Sequence, residues 1–194
     1  SLLWWTGVHG GSICGGILSP ILQANMAANQ KIIDSGLPLT IQNGGHIFTQ
    51  QFWDNFLCMS GAGIVIGLVI YITFFAKSKS LRSLGKLSIV PNIFNINEPI
   101  IFGTPIVLNP ILSIPFLIMP CLSAGLGYLV QSMGLVSLGY IVDPSFTPFF
   151  AQGFLSALDI RNVIFMFVLI AISVVVYYPF FKVYEKNTLE HEGE

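Results

Sequence analysis

Three apolar runs set the frame of this chain, and each is long enough to cross about 30 Å of hydrocarbon as a helix of about 20 residues. The first, Phe56 to Ala76, carries no charge and reads as an uninterrupted span. The second, Ile111 to Gln131, contains Pro115 and Pro120 and is expected to be a kinked span. The third, Val163 to Phe181, ends in Tyr177-Tyr178-Pro179-Phe180-Phe181 before Lys182, a sequence suited to an aromatic belt at the membrane interface. Beyond it, residues 185–194 form a polar tail.

Two further stretches are apolar but interrupted. Ser1 to Leu22 holds Gly7, Gly10, Gly11, Gly15 and Gly16, a density that predicts close backbone approach or an unwound segment. Asp143 to Asp159 holds Pro144, Pro148 and Gly153 among its phenylalanines. Neither reads as a simple span.

Cations fix an orientation. Lys77, Lys79, Arg82 and Lys86 follow the first run, and Lys182 and Lys186 follow the third, so both places are expected on the cytoplasmic side. With the second run passing outward between them, Leu87 to Asn109 must leave and re-enter on that side, as a re-entrant hairpin. Pro91, Pro99, Pro105 and Pro110 argue against a continuous helix there, while Asn92, Asn95, Asn97, Glu98, Thr104 and Asn109 supply polar groups. An ordinary loop at headgroup depth fits less well, because Ile96, Ile100, Ile101, Phe102, Ile106, Val107 and Leu108 are apolar.

Composition agrees with the pattern. Hydrophobic residues make up 54% of the 194 and charged residues 9%, at a mean hydropathy of +0.77. That is more apolar surface than a soluble domain of this length buries, and it points to an all-α integral membrane protein. A net charge of −1 gives no basic field for nucleic acid. The start Ser1-Leu2-Leu3-Trp4-Trp5 lacks an initiator Met, a basic region and a cleavage-type site, so the chain is expected to be a fragment. Cys14, Cys58 and Cys121 are odd in number and widely spaced in apolar stretches, as expected of buried packing thiols, and no metal spacing or cofactor motif is evident.

Glu98 stands out. It is the only acidic residue between Asp54 and Asp143, and an ionisable group at membrane depth costs roughly 2.5–3.5 kcal/mol unless it faces a partner or a wet cavity. His9, between Gly7 and Gly10, has a comparable apolar setting, although spacing alone favours a hydrogen-bonded packing residue. His46 reads as a turn residue and His191 as part of the solvated tail. Phosphate-binding loops, paired zinc-ligand histidines and serine-nucleophile elbows are absent, and the glycine run from Gly10 to Gly16 has no neighbouring lysine to make it a nucleotide site.

The run Asn95-Ile96-Asn97-Glu98-Pro99-Ile100-Ile101-Phe102-Gly103, continued by Pro105-Ile106-Val107-Leu108-Asn109-Pro110, resembles the signature of the lactose/cellobiose/chitobiose family of sugar permeases. These are the IIC components of the phosphoenolpyruvate-dependent phosphotransferase system. The glycines around His9 and the segment Tyr177 to Tyr184 are similar to that family as well. The resemblance implies that residues 1–194 are the C-terminal, substrate-binding half of a permease, with two re-entrant hairpins. It implies a multi-pass protein of a bacterial-type plasma membrane whose C-terminus is cytoplasmic, and a homodimer formed through the N-terminal half.

The same resemblance implies residue roles. His9 and Glu98 would be catalytic, holding a β-linked disaccharide near the hydroxyl that is phosphorylated, with Trp4 in the same site and Asn97 beside it. Phe146 would stand where many relatives carry a site tryptophan. The phosphoryl donor would be a cysteine of a separate IIB component docking near Lys77 to Lys86. Two other readings remain: an ion-coupled secondary sugar transporter with Glu98 as proton carrier, and a structural membrane subunit.

Overall fold

The computed structural model describes residues 1–143 and 147–192, and among them every regular element is helical. In chain order the helices are α1 (Leu2–Trp5), α2 (Gly10–Asp34), α3 (Gln50–Phe52), α4 (Ile66–Phe75), α5 (Lys79–Ile93), α6 (Glu98–Gly103), α7 (Ser113–Ser132), α8 (Phe149–Leu155) and α9 (Ile160–Glu192). A π-helical turn over Trp53–Leu57 continues α3, and a 3-10 turn over Ala62–Ile64 precedes α4.

Among the described residues two helices are long and apolar enough to cross a membrane, Ser113–Ser132 and Ile160–Glu190, and a third crossing exists if Gln50–Ile64 and Ile66–Phe75, bent by 50°, count as one span. The run expected to be the cleanest span is therefore the broken one. Its apolarity concealed Ser60-Gly61-Ala62-Gly63-Ile64, where Ser60, Gly61, Gly63 and Ile64 all have positive φ. At Gly63 a Cβ would lie 2.1 Å from the Phe116 ring, so only glycine fits there.

The hairpin partners this break. Asn95 Oδ1 accepts from the Ser60 amide at 2.7 Å, Asn92 Oδ1 from the Ser60 hydroxyl at 2.5 Å, and Asn97 Nδ2 donates to the Ala62 carbonyl at 2.7 Å. Unwound backbone at membrane depth needs such partners, because lipid offers none. The hairpin itself is more helical than its prolines suggested. α5 begins at Lys79 and runs through Pro91, which sits in its last turn, so Lys79, Arg82 and Lys86 lie on a helix. The chain reverses at Asn95, φ +63, and α6 starts at Glu98 with Pro99 in its first turn, where the missing N–H is harmless.

Further differences follow from packing. α2 is one continuous helix, and a Cβ at Gly15 or Gly16 would meet nothing within 4 Å, so the glycines there do not mark close approach. Gly10 does: its Cβ would lie 2.9 Å from that of Leu3, which lets α1 fold onto α2. Tyr177 and Phe181 belong to the core, not to an interfacial belt, because α9 packs them against α4. Of the four aromatic residues in that run only Tyr178 is exposed, at 44%, and Phe180 is half-buried. Cys121 is exposed and Cys14 and Cys58 are half-buried, so none is a fully buried packing thiol. The polar tail over 185–194 is helical to Glu192, and its first residue, Glu185, is buried and accepts from the Lys77 amide at 2.5 Å.

Candidate functional site

A cavity of about 1110 Å³ opens where the N-terminal segment, the π turn, the hairpin tip and the loop before α8 meet. Trp4, His9, Asn97 and Glu98 all line it. Phe146 lies outside the described residues.

His9 reaches the cavity as the N-cap of α2. Its Nδ1 accepts from the Ser12 amide at 3.0 Å and lies 2.8 Å from the Ser12 hydroxyl. An N–H donor at Nδ1 leaves that nitrogen without a proton, so the neutral ring carries its hydrogen on Nε2. Nε2 lies 3.9 Å from Glu98 Oε1, too long for a direct hydrogen bond and close enough for one hydroxyl to one side to reach both. Glu98, at the first turn of α6, has its carboxylate at a helix N-terminus, where negative charge is favoured. Both side chains are about half exposed, at 53% and 44%. The Trp4 ring packs on the imidazole at 4.4 Å between centroids and approaches Phe102 at 6.5 Å. The amide of Leu108 donates to the Trp5 carbonyl at 3.1 Å, tying the segment that carries Trp4 and His9 to the end of the hairpin.

Asn97 faces the cavity but is buried, and its amide nitrogen is engaged by the Ala62 carbonyl. At Gly61, φ +81, a Cβ would lie 2.3 Å from the Asn97 side chain, so the glycine admits this asparagine. Asn95 Nδ2 donates to Gln152 Oε1 at 2.8 Å, which links the hairpin tip to α8.

Sequence reasoning passed over Trp53, Asp54, Asp143 and Gln152, which also line the cavity. Both Asp54 oxygens accept from Gln50 Nε2, at 3.0 and 2.9 Å. Gln50 Oε1 accepts from Ser19, whose oxygen accepts in turn from Gln23, so α2 backs this carboxylate. Burial raises the Asp143 carboxyl above its ordinary range, partly offset by hydrogen bonds from its own backbone and from Gln152. Asp54 and Asp143 bracket the stretch in which Glu98 is the only acidic residue, and the fold brings all three to one space. Among the described residues, no lysine or arginine lines it and no group of three or more potential metal ligands occurs.

Residues 1–120 match the family described as Phosphotransferase system, EIIC. The lichenan permease IIC component of Bacillus subtilis (strain 168) is 40% identical over 195 residues, covering 100% of this chain and 42% of its own length. The cellobiose-specific EIIC component of Geobacillus stearothermophilus is 38% identical, covering 98% and 42% respectively. The crystal structure of the transporter ChbC, the IIC component from the N,N'-diacetylchitobiose-specific phosphotransferase system, superposes with a TM-score of 0.91 at 36% identity, over 98% of this chain and 44% of that one. The chain thus spans less than half the length of the curated relatives it matches, and it is an all-α membrane protein that belongs to the EIIC family of the phosphotransferase system.

Proposed function

We propose that this chain forms the substrate-binding part of a permease that takes up a β-linked disaccharide of the cellobiose, diacetylchitobiose or lactose type and releases it as a sugar phosphate. The observation that carries the reading is the meeting of His9, Glu98 and Trp4, drawn from segments some ninety residues apart, at one cavity. The names of the relatives support the saccharide class.

The chemistry follows from the geometry. A sugar hydroxyl set to one side of the 3.9 Å line from His9 Nε2 to Glu98 Oε1 can reach both at ordinary hydrogen-bond length, accepting from Nε2–H and donating to Oε1. When that oxygen attacks phosphorus, Glu98 takes its proton as general base. The new O–P bond forms as the S–P bond of a phosphocysteine on a IIB partner breaks, and the thiolate leaves with the electron pair. His9, donating from Nε2–H, offsets the charge that develops. Trp4 supplies an apolar face for the pyranose ring.

Placement in the cell belongs to the same reading. Lys77, Lys79, Arg82 and Lys86 are all exposed and crowd one end of α4 and α5, which fits a cytoplasmic face where IIB docks. The C-terminus of a multi-pass protein then lies on that side, and dimer contacts fall to the N-terminal half.

Uptake by membrane vesicles carrying the full-length protein tests the proposal. Labelled cellobiose is expected to accumulate as its phosphate, and only when phosphorylated IIB is supplied. Accumulation of unmodified sugar on an ion gradient overturns this in favour of an ion-coupled transporter.

A further inference from the structure

The three cations of α5 share one face of the helix. Lys79, Arg82 and Lys86 stand at i, i+3 and i+7, a spacing that stacks side chains along one side, and all three are exposed. The opposite side, formed by Leu81, Gly85, Ser88 and Asn92, is buried. A Cβ at Gly85 would lie 2.7 Å from the Thr73 amide nitrogen, so α5 is seated against α4 and the direction of its outer face is fixed. Further along, that outer face turns apolar. Leu87 and Val90, at i+8 and i+11, are exposed, as are Phe74 and Phe75 in the last turn of α4. Within roughly 16 Å of helix, at about 1.5 Å per residue, the surface passes from cations to hydrocarbon.

No carboxylate answers these charges. Among the described residues the ion pairs are His9 with Glu98, Arg161 with Asp159 and Lys186 with Glu190, and the sequence has no acidic residue between Asp54 and Glu98. Glu185, the buried acid at this corner, is engaged by the Lys77 amide. Arg82 donates to the Ala76 carbonyl at 2.7 Å, which orients a guanidinium with five N–H donors and leaves others for a ligand. Guanidinium and ammonium groups suit phosphate oxygens, and a stripe of exposed aliphatic side chains continuous with them suits acyl chains, not a soluble partner.

We infer that the outer face of α5 is a binding site for an anionic phospholipid, its headgroup phosphate held by Lys79, Arg82 and Lys86 and an acyl chain lying along Leu87 and Val90. Because α5 leads through the turn at Asn95 to Glu98, the lipid anchors the base of the hairpin that presents this carboxylate. Only the leaflet depends on the orientation proposed above, and the site itself does not.

The test compares phosphatidylglycerol with phosphatidylcholine, each added to the full-length protein in neutral detergent, by native mass spectrometry and by the rise in thermal midpoint. Wild type is expected to bind phosphatidylglycerol in preference. Each cation near an anionic lipid surface contributes about fivefold in affinity, so Lys79→Gln with Lys86→Gln is expected to weaken phosphatidylglycerol by about 25-fold and to leave phosphatidylcholine unchanged. Lys79→Arg with Lys86→Arg is expected to keep the preference. Lys182→Gln with Lys186→Gln removes cations already engaged by the Tyr178 ring and by Glu190, and is expected to change it by less than about fivefold. Midpoints without added lipid control for folding. Equal binding of the two lipids by wild type, an undiminished preference in the α5 glutamine variant, or an equal loss in the α9 variant overturns the site. Displacement of the lipid by inorganic phosphate at equal concentration assigns the cations to a free anion, and loss of IIB binding with lipid preference intact assigns them to a protein partner; either result overturns it as well.

Discussion

The Tyr177 hydroxyl, fully buried in α9, donates to the carbonyl of Gly63 at 2.8 Å. Gly63 lies in the break of the first apolar run, where the carbonyl has left the helical ladder. Ser173, one turn earlier on α9, donates to the Ile64 carbonyl at 2.7 Å and accepts from the Gly67 amide at 3.2 Å. The long helix thus repairs the backbone from one side while the hairpin asparagines repair it from the other. Tyr177→Phe is expected to leave the Gly63 carbonyl without this partner and to destabilise the protein by about 1–3 kcal/mol, seen as a lower midpoint of thermal unfolding in detergent. An unchanged midpoint would show that the bond contributes nothing net.

Close packing makes the same interface sensitive to size. A Cβ at Gly67 would lie 2.4 Å from the Ser173 carbonyl carbon and 2.5 Å from the Val174 nitrogen, both backbone atoms that cannot swing aside. Small residues let membrane helices approach in this way. Gly67→Ala is expected to force α4 from α9 at a cost of about 1–3 kcal/mol. Gly15→Ala, whose Cβ meets nothing within 4 Å inside α2, is expected to raise the midpoint slightly in the same thermal assay, because alanine loses less conformational freedom on folding.

The membrane class, the approximate extent of α7 and α9 and the exposure of Glu98 to a cavity were legible because each depends on local composition. An isolated carboxylate in an apolar context announces itself through the cost of its own desolvation. The break at Ser60 to Ile64 was less legible, since Gly61 and Gly63 signal a break only once Phe116, Asn97 and Asn95 occupy the adjoining space. Pro91 misled in the opposite direction, because the last turn of α5 tolerates it. Trp53 and Asp54 went unremarked because their access to the cavity depends on the π turn and the bend after it. Asn95 and Asn92 looked like generic polar lining, but their geometry makes them partners of unwound backbone.

Ser12 orients His9 through Nδ1, by both its amide and its hydroxyl. Ser12→Ala retains the amide contact and removes the hydroxyl, so the imidazole keeps its tautomer but has fewer restraints on its ring. Phosphorylation is expected to fall severalfold with little change in sugar affinity, since the loss is one of orientation. Nitrogen chemical shifts of His9 should still report Nε2–H in the neutral ring. A switch to Nδ1–H would contradict the capping geometry.

Asp159 lies just before α9 and gives a pH dependence whose sign can be worked out. Partial burial pushes its carboxyl upward, and this is more than offset by hydrogen bonds from Arg161, Ser137 and the Arg161 amide, with the guanidinium charge, which bring it down to about 2. The Arg161 guanidinium lies 2.7 Å from the carboxylate. A folded-state value below the ordinary 3.8 means that the stabilisation is present above pH 4 and is lost as pH falls from about 4 through about 2. Arg161→Ala is expected to lower the thermal midpoint at pH 6 and to flatten its fall between pH 4 and 2, because the variant has less to lose. Parallel profiles for the two proteins would remove Asp159 as a source of acid sensitivity.

Glu98→Gln separates the two roles open to this carboxylate. The amide keeps the shape and one acceptor oxygen, so a sugar hydroxyl can still be held beside His9, but it cannot take a proton at neutral pH. If Glu98 acts as general base, phosphorylation by the full-length permease with phosphorylated IIB is expected to fall about 100- to 10,000-fold, with sugar affinity changed far less. If it only binds the sugar, the loss appears in KM and kcat is spared. Measuring binding and single-turnover phosphorylation on the same membranes distinguishes these outcomes. Undiminished turnover with undiminished binding would remove Glu98 from the site altogether, leaving its exposure to the cavity and its approach to His9 without a functional explanation.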